Sequence, residues 1–272
     1  MYKIDVENDF EKAKKIIDRE ESENLYSKIY YKSNEHLKEL LKNFYLDNKS
    51  ILTVLGSGDQ AFHFLNSGVQ SVDTFDINRL SIYYFYLRIW IIKYLNRFYP
   101  ESFGRLSWEK LKKRITITSE KEKEVQQFWN LYFERYDRIN SIIEYDPYAY
   151  TNEIDNLEIL NKRLKNININ FYNIDIASNE IKINKKYDVI YTSNISDWLF
   201  YKFPNNDYFI NYRNNLKKLL KEHGFIICAY AYLYSGNEYE EYIFEQDFKK
   251  YKLNKININD NFVTPGYYYV KK

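Results

Sequence analysis

The chain is poor in glycine, with seven among 272 residues, yet two of the seven stand close together at Gly56 and Gly58. They follow an apolar run over residues 50–55 and precede a helical pattern over 61–66. Glycine lets a backbone turn sharply and lets another group approach with no Cβ in the way. A second strand is predicted over 71–75, ending at Asp76, and a long aromatic helix over 80–98. Strand, glycine turn, helix, strand, acid and helix, in that order, open a mostly parallel α/β sheet.

The rest of the chain continues the alternation. A helix over 156–165 leads to a strand over 167–172 and Asp175, and a strand over 186–192 leads to Ser193 and Asn194. A helix over 208–222, ended by Gly224, precedes a strand over 225–232. Residues 255–258 and 267–271 read as a strand pair around the turn Thr264-Pro-Gly266. Before the sheet, apolar residues at helical spacing predict helices over 7–20 and 35–46, with Ser33 or Asn34 capping the second. Residues 99–150 are helical, charged and aromatic without a clear strand. The expected organisation is therefore an N-terminal helical cap, residues 1–49, and a Rossmann-like domain, residues 50–272, with a helical insertion at about 97–165.

Composition removes several classes of function. Lys and Arg total 40 against 38 Asp and Glu, a net charge of +2, so nucleic-acid binding through bulk charge is not expected. Cys228 stands alone, which excludes a disulfide framework, and His36, His63 and His223 are too scattered for a metal signature, so no metal is expected. The 30 tyrosines occur in every segment and read as compositional bias rather than as stacking platforms. Residues 1–20 are charged and lack the apolar core of a signal peptide. The apolar run 80–95 is broken by Arg88 and Lys93 and is too short to span a bilayer. A cytoplasmic place is expected.

The residues around the glycine turn carry the chemistry. Glycines after a strand, with the free N–H groups of the following helix, receive an anionic or polar ligand, and a carboxylate at the end of the next strand accepts both hydroxyls of a ribose. Gly56-x-Gly58-x-x-Ala61 with Asp76 fits a permissive dinucleotide fingerprint. The same turn also fits S-adenosylmethionine, and a purely structural turn is a third reading.

Four segments go further: Ile29-Tyr-Tyr-Lys-Ser-Asn-Glu35, Leu52-Thr-Val-Leu-Gly-Ser-Gly-Asp-Gln-Ala61, Phe75-Asp-Ile-Asn78 and Tyr187-Asp-Val-Ile-Tyr-Thr-Ser-Asn-Ile-Ser-Asp-Trp198. With them the chain resembles the class I S-adenosylmethionine-dependent transferases. Within these it resembles the family typified by the bacterial betaine-lipid enzyme, the diacylglycerol 3-amino-3-carboxypropyl transferase. The resemblance implies the class I methyltransferase fold, with S-adenosylmethionine rather than NAD as cofactor. It implies cofactor contacts from Gly56, Ser57, Gly58, Asp59, Gln60, Asp76, Ile77, Asn78, Asp175, Ile176, Ser193 and Asn194. Tyr30 and Ser33, with Asn34 and Glu35, would close over the ligand from the cap. The chain departs from the general methyltransferase pattern in two places. The position before the first glycine is apolar (Val54, Leu55), and Gln60 stands where a third glycine is usual. Asp59 is expected to supply the missing polar contact to the ligand's amino group.

The implied chemistry is attack by a nucleophile on a carbon beside a sulfonium. Transfer of the aminocarboxypropyl group is the first expectation and methyl transfer the second; a nucleotide-binding protein without catalysis and an NAD oxidoreductase are the alternatives of other classes. Asp197 is the expected proton acceptor, or else a helix cap. Asn194 and Tyr191 are expected to line the reacting centre. His63 is expected to be a surface or a satisfied core imidazole, and Arg88 and Lys93 to lie on a solvated helix face or else to pair with a carboxylate. The acceptor is expected to be a small molecule or a lipid. In the lipid case, an apolar groove over 98–150 and the cations Lys110, Lys112, Lys113 and Arg114 would make peripheral membrane contact.

Overall fold

A computed structural model describes residues 4–18, 29–33, 35–144, 152–167, 169–196, 199, 206–229, 247–252 and 266–271. In chain order the elements are α1 (Val6–Ile17), β1 (Ile29–Tyr30), α2 (Leu37–Leu41), β2 (Ser50–Val54), α3 (Asp59–Asn66), β3 (Ser71–Asp76), α4 (Ser81–Leu95), α5 (Arg105–Lys112), α6 (Glu120–Arg135), β4 (Ile143–Glu144), α7 (Leu157–Asn166), β5 (Phe171–Asn173), β6 (Tyr187–Ser193), α8 (Asn206–Leu219), β7 (Leu220–Ala229), β8 (Phe248–Lys252) and β9 (Gly266–Lys271).

The main sheet has the order β5-β3-β2-β6-β7-β9-β8. Its first five strands are parallel, and β9 runs antiparallel to both β7 and β8. The chain leaves β2 in one direction for β3 and returns on the other side for β6, so the order reverses between β2 and β6. In open α/β sheets such a reversal leaves a crevice at the carboxyl ends of the strands, where ligands bind.

The strands divide their side chains by the period of two. Ile51, Val189, Tyr191 and Ile227 join one core, while Leu52, Ile190, Ile226 and Cys228 join the other. The first core is thick: α1, residues 29–31 and 37–46, α3, α4 and the insertion helices all pack into it. The second is thinner and is closed by residues 176–183 and α8. Helix α4 is apolar on nearly every side because it lies between the sheet layer and α5 and α6, as a helix without a polar face must. The aromatic insertion is a packed interior rather than an open groove. Trp90, Trp108 and Trp129 are among its fully buried side chains, and Trp108 and Trp129 both stack on Phe133. Among the described residues no helix is long and apolar enough to cross a membrane.

Several boundaries differ from expectation. Ser33 does not cap α2, whose N-cap position is His36 with no side-chain capping bond, and Asn34 lies outside the described residues. The insertion ends in a two-residue strand, β4, that pairs with β1. The helix before β7 stops at Leu219, and β7 begins at Leu220, ahead of Gly224. A Cβ at Gly224 would stand 2.9 Å from the Asp188 carbonyl oxygen and 2.8 Å from Leu220 Cγ, so this glycine permits close approach of β6 instead of ending a helix. The partner of the last strand is Phe248–Lys252; residues 255–258 and the Thr264-Pro turn lie outside the described residues.

Candidate functional site

The β2–α3 turn projects from the carboxyl end of the sheet with Gly56 at φ +50° and Gly58 at φ +88°. The two glycines serve different ends. A Cβ at Gly58 would lie 2.7 Å from Phe85 Cδ2, so this glycine lets α4 pack against the turn. A Cβ at Gly56 would touch only the Gln60 amide, at 3.8 and 4.0 Å, so it would meet no clash there.

Asp76 clasps the turn from β3. Its Oδ2 accepts the Gly56 N–H at 2.9 Å, and its Oδ1 accepts the Asn78 N–H at 2.8 Å. Burial raises its pKa to about 6, against the lowering effect of these bonds. The Ser81 side chain and the Ile77 N–H also donate to this carboxylate. Ile77 follows at the lip, 44% exposed, and Asn78 turns inward, where its Oδ1 accepts the Leu80 N–H at 3.0 Å and starts α4. Asn173, not singled out from the sequence, holds this lip from β5: its Nδ2 donates to the Asp76 and Ile77 carbonyls, both at 2.9 Å. Asp175 makes a local turn, accepting the Ala177 N–H at 2.9 Å, and Ile176 is buried in the thinner core rather than lying on the crevice.

Asp59 does not face a ligand. It is 0% exposed, and its Oδ1 accepts from Arg88 Nη1 at 2.7 Å, with Arg88 also 0% exposed. Its Oδ2 accepts the Ser33 N–H at 2.7 Å and the Tyr99 hydroxyl at 3.3 Å. Arg88 thus takes the carboxylate pair rather than the solvated face, and it also donates to the Ser57 carbonyl at 2.8 Å and lies against the rings of Phe62, Phe98 and Tyr99. Lys93 is half-buried. Ser57 is itself buried, and its Oγ accepts the Asp59 N–H at 3.3 Å. His63 is a satisfied core imidazole as expected. Its Nε2–H donates to the Asn152 carbonyl at 2.7 Å, and burial lowers its pKa, so it is neutral.

Glu35 lies buried at the reversal of strand order. Its Oε2 accepts from the Tyr191 hydroxyl at 2.6 Å, the Ser33 hydroxyl at 3.2 Å and Gln60 Nε2 at 3.2 Å. Its Oε1 accepts from the Ser193 hydroxyl. The carboxylate thus joins the β2 side (Gln60) to the β6 side (Tyr191, Ser193) across the reversal of strand order. Burial raises its pKa above the ordinary carboxylate value, against these four bonds. Burial also pushes the Tyr191 phenol well above its usual range, so it remains a donor. Ser193 closes β6 with φ +55°, a left-handed conformation seldom taken by a residue with a side chain. Its hydroxyl also lies 3.3 Å from Asn194 Oδ1, which places Asn194 at the edge of the same group.

Asn152 fastens the wall that carries Glu35. Its Nδ2 donates to the Glu35 carbonyl at 2.8 Å, its Oδ1 accepts the Leu37 N–H at 3.2 Å, and its N–H donates to Tyr99 Oη at 3.0 Å. Tyr30 lies in β1, paired with Glu144 of β4. Asp197 lies outside the described residues.

No protein-family model matches the chain, and no curated protein matches it. Solved structures do. The N-methyltransferase NodS from Bradyrhizobium japonicum WM9, in complex with S-adenosyl-L-homocysteine, is 9% identical, over 86% of this chain and 83% of that one, with a TM-score of 0.42. An rRNA methylase from Streptococcus thermophilus is 11% identical, over 87% and 93%, with a TM-score of 0.41. A ribosomal protein L11 methylase from Lactobacillus delbrueckii subsp. bulgaricus is 12% identical, over 87% and 77%, with a TM-score of 0.44. These likenesses are distant. The strand order and the reversed strand β9 are what make this a Rossmann-like class I methyltransferase fold.

Proposed function

We propose that the protein binds S-adenosylmethionine across the carboxyl ends of β2 and β6 and transfers an alkyl group from it to an acceptor. The reading rests on one observation: at the reversal of strand order, the turn held by Asp76 sets Gly56, where a Cβ would meet no clash, beside a buried oxygen of Gln60 that has no donor among the described residues. The residues present fit such a ligand. Asp76 stands at the end of β3, where a carboxylate receives ribose hydroxyls, Ile77 offers an apolar lip to the base, and Asp175 and Asn194 lie at the ends of the flanking segments. When bound, the sulfonium supplies an activated carbon. The protein's share is to align the acceptor with that carbon, worth up to about 7–11 kcal/mol in favourable cases, and to take the acceptor's proton. Asp197 is the residue we assign to the proton.

The sequence segments that resemble the betaine-lipid family favour the 3-amino-3-carboxypropyl group. In that transfer the acceptor's lone pair bonds to the methionine Cγ, the C–S electron pair stays on sulfur, and methylthioadenosine leaves. The acceptor is a small molecule or a lipid, the latter with peripheral membrane contact through Lys110 and Lys113; a cytoplasmic place suits both. Mass analysis after incubation with S-adenosylmethionine and candidate acceptors tests the reading. Methylthioadenosine is the expected product, and S-adenosylhomocysteine in its place would mean methyl transfer. If calorimetry detects no binding of S-adenosylmethionine, or thermal shift answers to NAD instead, the reading is overturned.

A further inference from the structure

A ligand with an amino-acid end brings a cation into the crevice, and the usual place for an answering acid is empty of one here: Val54 and Leu55 precede the turn. Asp59 is closed off by Arg88. Two observations show where the answering charge lies instead.

Glu35 is one. Its carboxylate is buried at the reversal of strand order, and its four partners, Tyr191, Ser193, Ser33 and Gln60, are all neutral. Among the described residues it makes no ion pair. A buried charge without a counter-charge is costly, and a cationic ligand group would relieve it.

Gln60 is the other. The side chain is 4% exposed, and its Oε1 has no donor among the described residues. The amide cannot be turned over to hide this. Nε2 donates to both Ser33 Oγ and Glu35 Oε2 at 3.2 Å, and reversal would set an oxygen against the carboxylate. The orphaned oxygen lies beside the turn, 3.8 Å from where a Gly56 Cβ would stand. It asks for an N–H donor. A sulfonium has none, whereas an ammonium has three N–H bonds and a positive charge.

We propose that Glu35 and the Gln60 side-chain oxygen together seat the ligand's ammonium group, an assignment that rests on the S-adenosylmethionine reading and gives this chain's replacement for the missing acid. Ser193 is a positioning residue for the seat. Its left-handed backbone delivers the hydroxyl to Glu35 Oε1 from the β6 side. Strain of this kind persists where the surrounding structure enforces it, often at ligand sites.

The test is calorimetric titration of the full chain with S-adenosylhomocysteine, which carries the ammonium, and methylthioadenosine, which lacks it. Wild type should bind S-adenosylhomocysteine more tightly. Glu35→Gln should weaken S-adenosylhomocysteine by about tenfold to a hundredfold, the effect of losing a charged hydrogen bond, and leave methylthioadenosine within about twofold. Gln60→Met keeps the volume, removes the oxygen and should show a smaller loss with the same selectivity; it decides the matter if Glu35→Gln does not fold. Equal weakening of both ligands would overturn the seat and leave the cofactor reading standing. So would unchanged affinity for S-adenosylhomocysteine, or wild type binding the two ligands equally. Wild type binding neither ligand would overturn the cofactor reading and the seat with it.

Discussion

Two buried carboxylates lie in one hydrogen-bonded group, joined through Ser33, whose N–H serves Asp59 and whose hydroxyl serves Glu35. They have opposite electrostatic situations. Asp59 faces a guanidinium at 2.7 Å, and a cage of aromatic rings surrounds that guanidinium. Its charge is answered within the fold. Glu35 faces only neutral donors, and burial raises its pKa. The contrast separates a carboxylate that holds the turn in place from one that is available to something arriving from outside. Burial alone would have ranked the two alike.

The largest expected effect is on the closed pair. Arg88→Met should strand the Asp59 charge and cost about 3–5 kcal/mol in urea unfolding, and adding Asp59→Leu should recover much of the loss. A single-variant loss below about 1 kcal/mol would mean that the pair is not what secures this region. The two glycines sharpen the same division. Gly58→Ala puts a Cβ against Phe85 and should lower stability by about 1–3 kcal/mol, whereas Gly56→Ala meets no clash and should lower it by about 1–2 kcal/mol through its left-handed backbone alone. Ligand affinity should suffer more from the second, read by calorimetry on both variants.

Glu35→Gln should change stability by less than about 1 kcal/mol at neutral pH, against the several expected for Arg88→Met. The sign varies with pH. A carboxyl whose folded pKa is raised holds its proton more tightly in the folded state, so its stabilising contribution is full at low pH and is lost as pH rises through the folded pKa. The variant lacks that decline and should gain on wild type in denaturant titrations as pH rises.

The smallest effect concerns Asp76. Between pH 3.8 and about 6 its folded form binds more protons than its unfolded form, so its contribution to stability falls across that window. Hydroxyl donors favour the ionised form, so affinity for an adenosyl ligand should weaken below pH 6 by at most about tenfold per pH unit. Asp76→Asn should flatten that profile.

The sheet was legible because its signals are local. An apolar run, two glycines and an acid at the end of the next run predict β2, the turn and Asp76 from neighbours in sequence. Arg88 was not legible for a physical reason. Helix α4 is apolar all round, so its periodicity does not say which side holds a charge, and its exposure depends on α5 and α6. Gln60 read as a departure from a glycine pattern, and its meaning depends on Glu35. Glu35 has no local signal that sets it apart from Ser33 and Asn34, since its partners Tyr191 and Ser193 come from the far side of the sheet. Asn152 carries no sequence signal; its role comes from backbone groups brought to it by the fold. The last strand was legible, whereas Phe248–Lys252 carries too mixed a pattern to stand out, and residues 255–258 lie outside the described residues.

The short pairing of β1 with β4 has a consequence for biosynthesis. The segment bearing Glu35 is made early, but its fasteners, Ile143 and Asn152, are made more than a hundred residues later. As the polypeptide emerges from the ribosome, the glycine turn and its first neighbouring strands exist well before the acidic wall has anything to latch onto. Domains tend to fold as units once their distant contacts have been translated. A nascent chain halted before residue 143 would therefore carry the turn without its counter-charge, and ligand capture would begin only when the clasp has been synthesised.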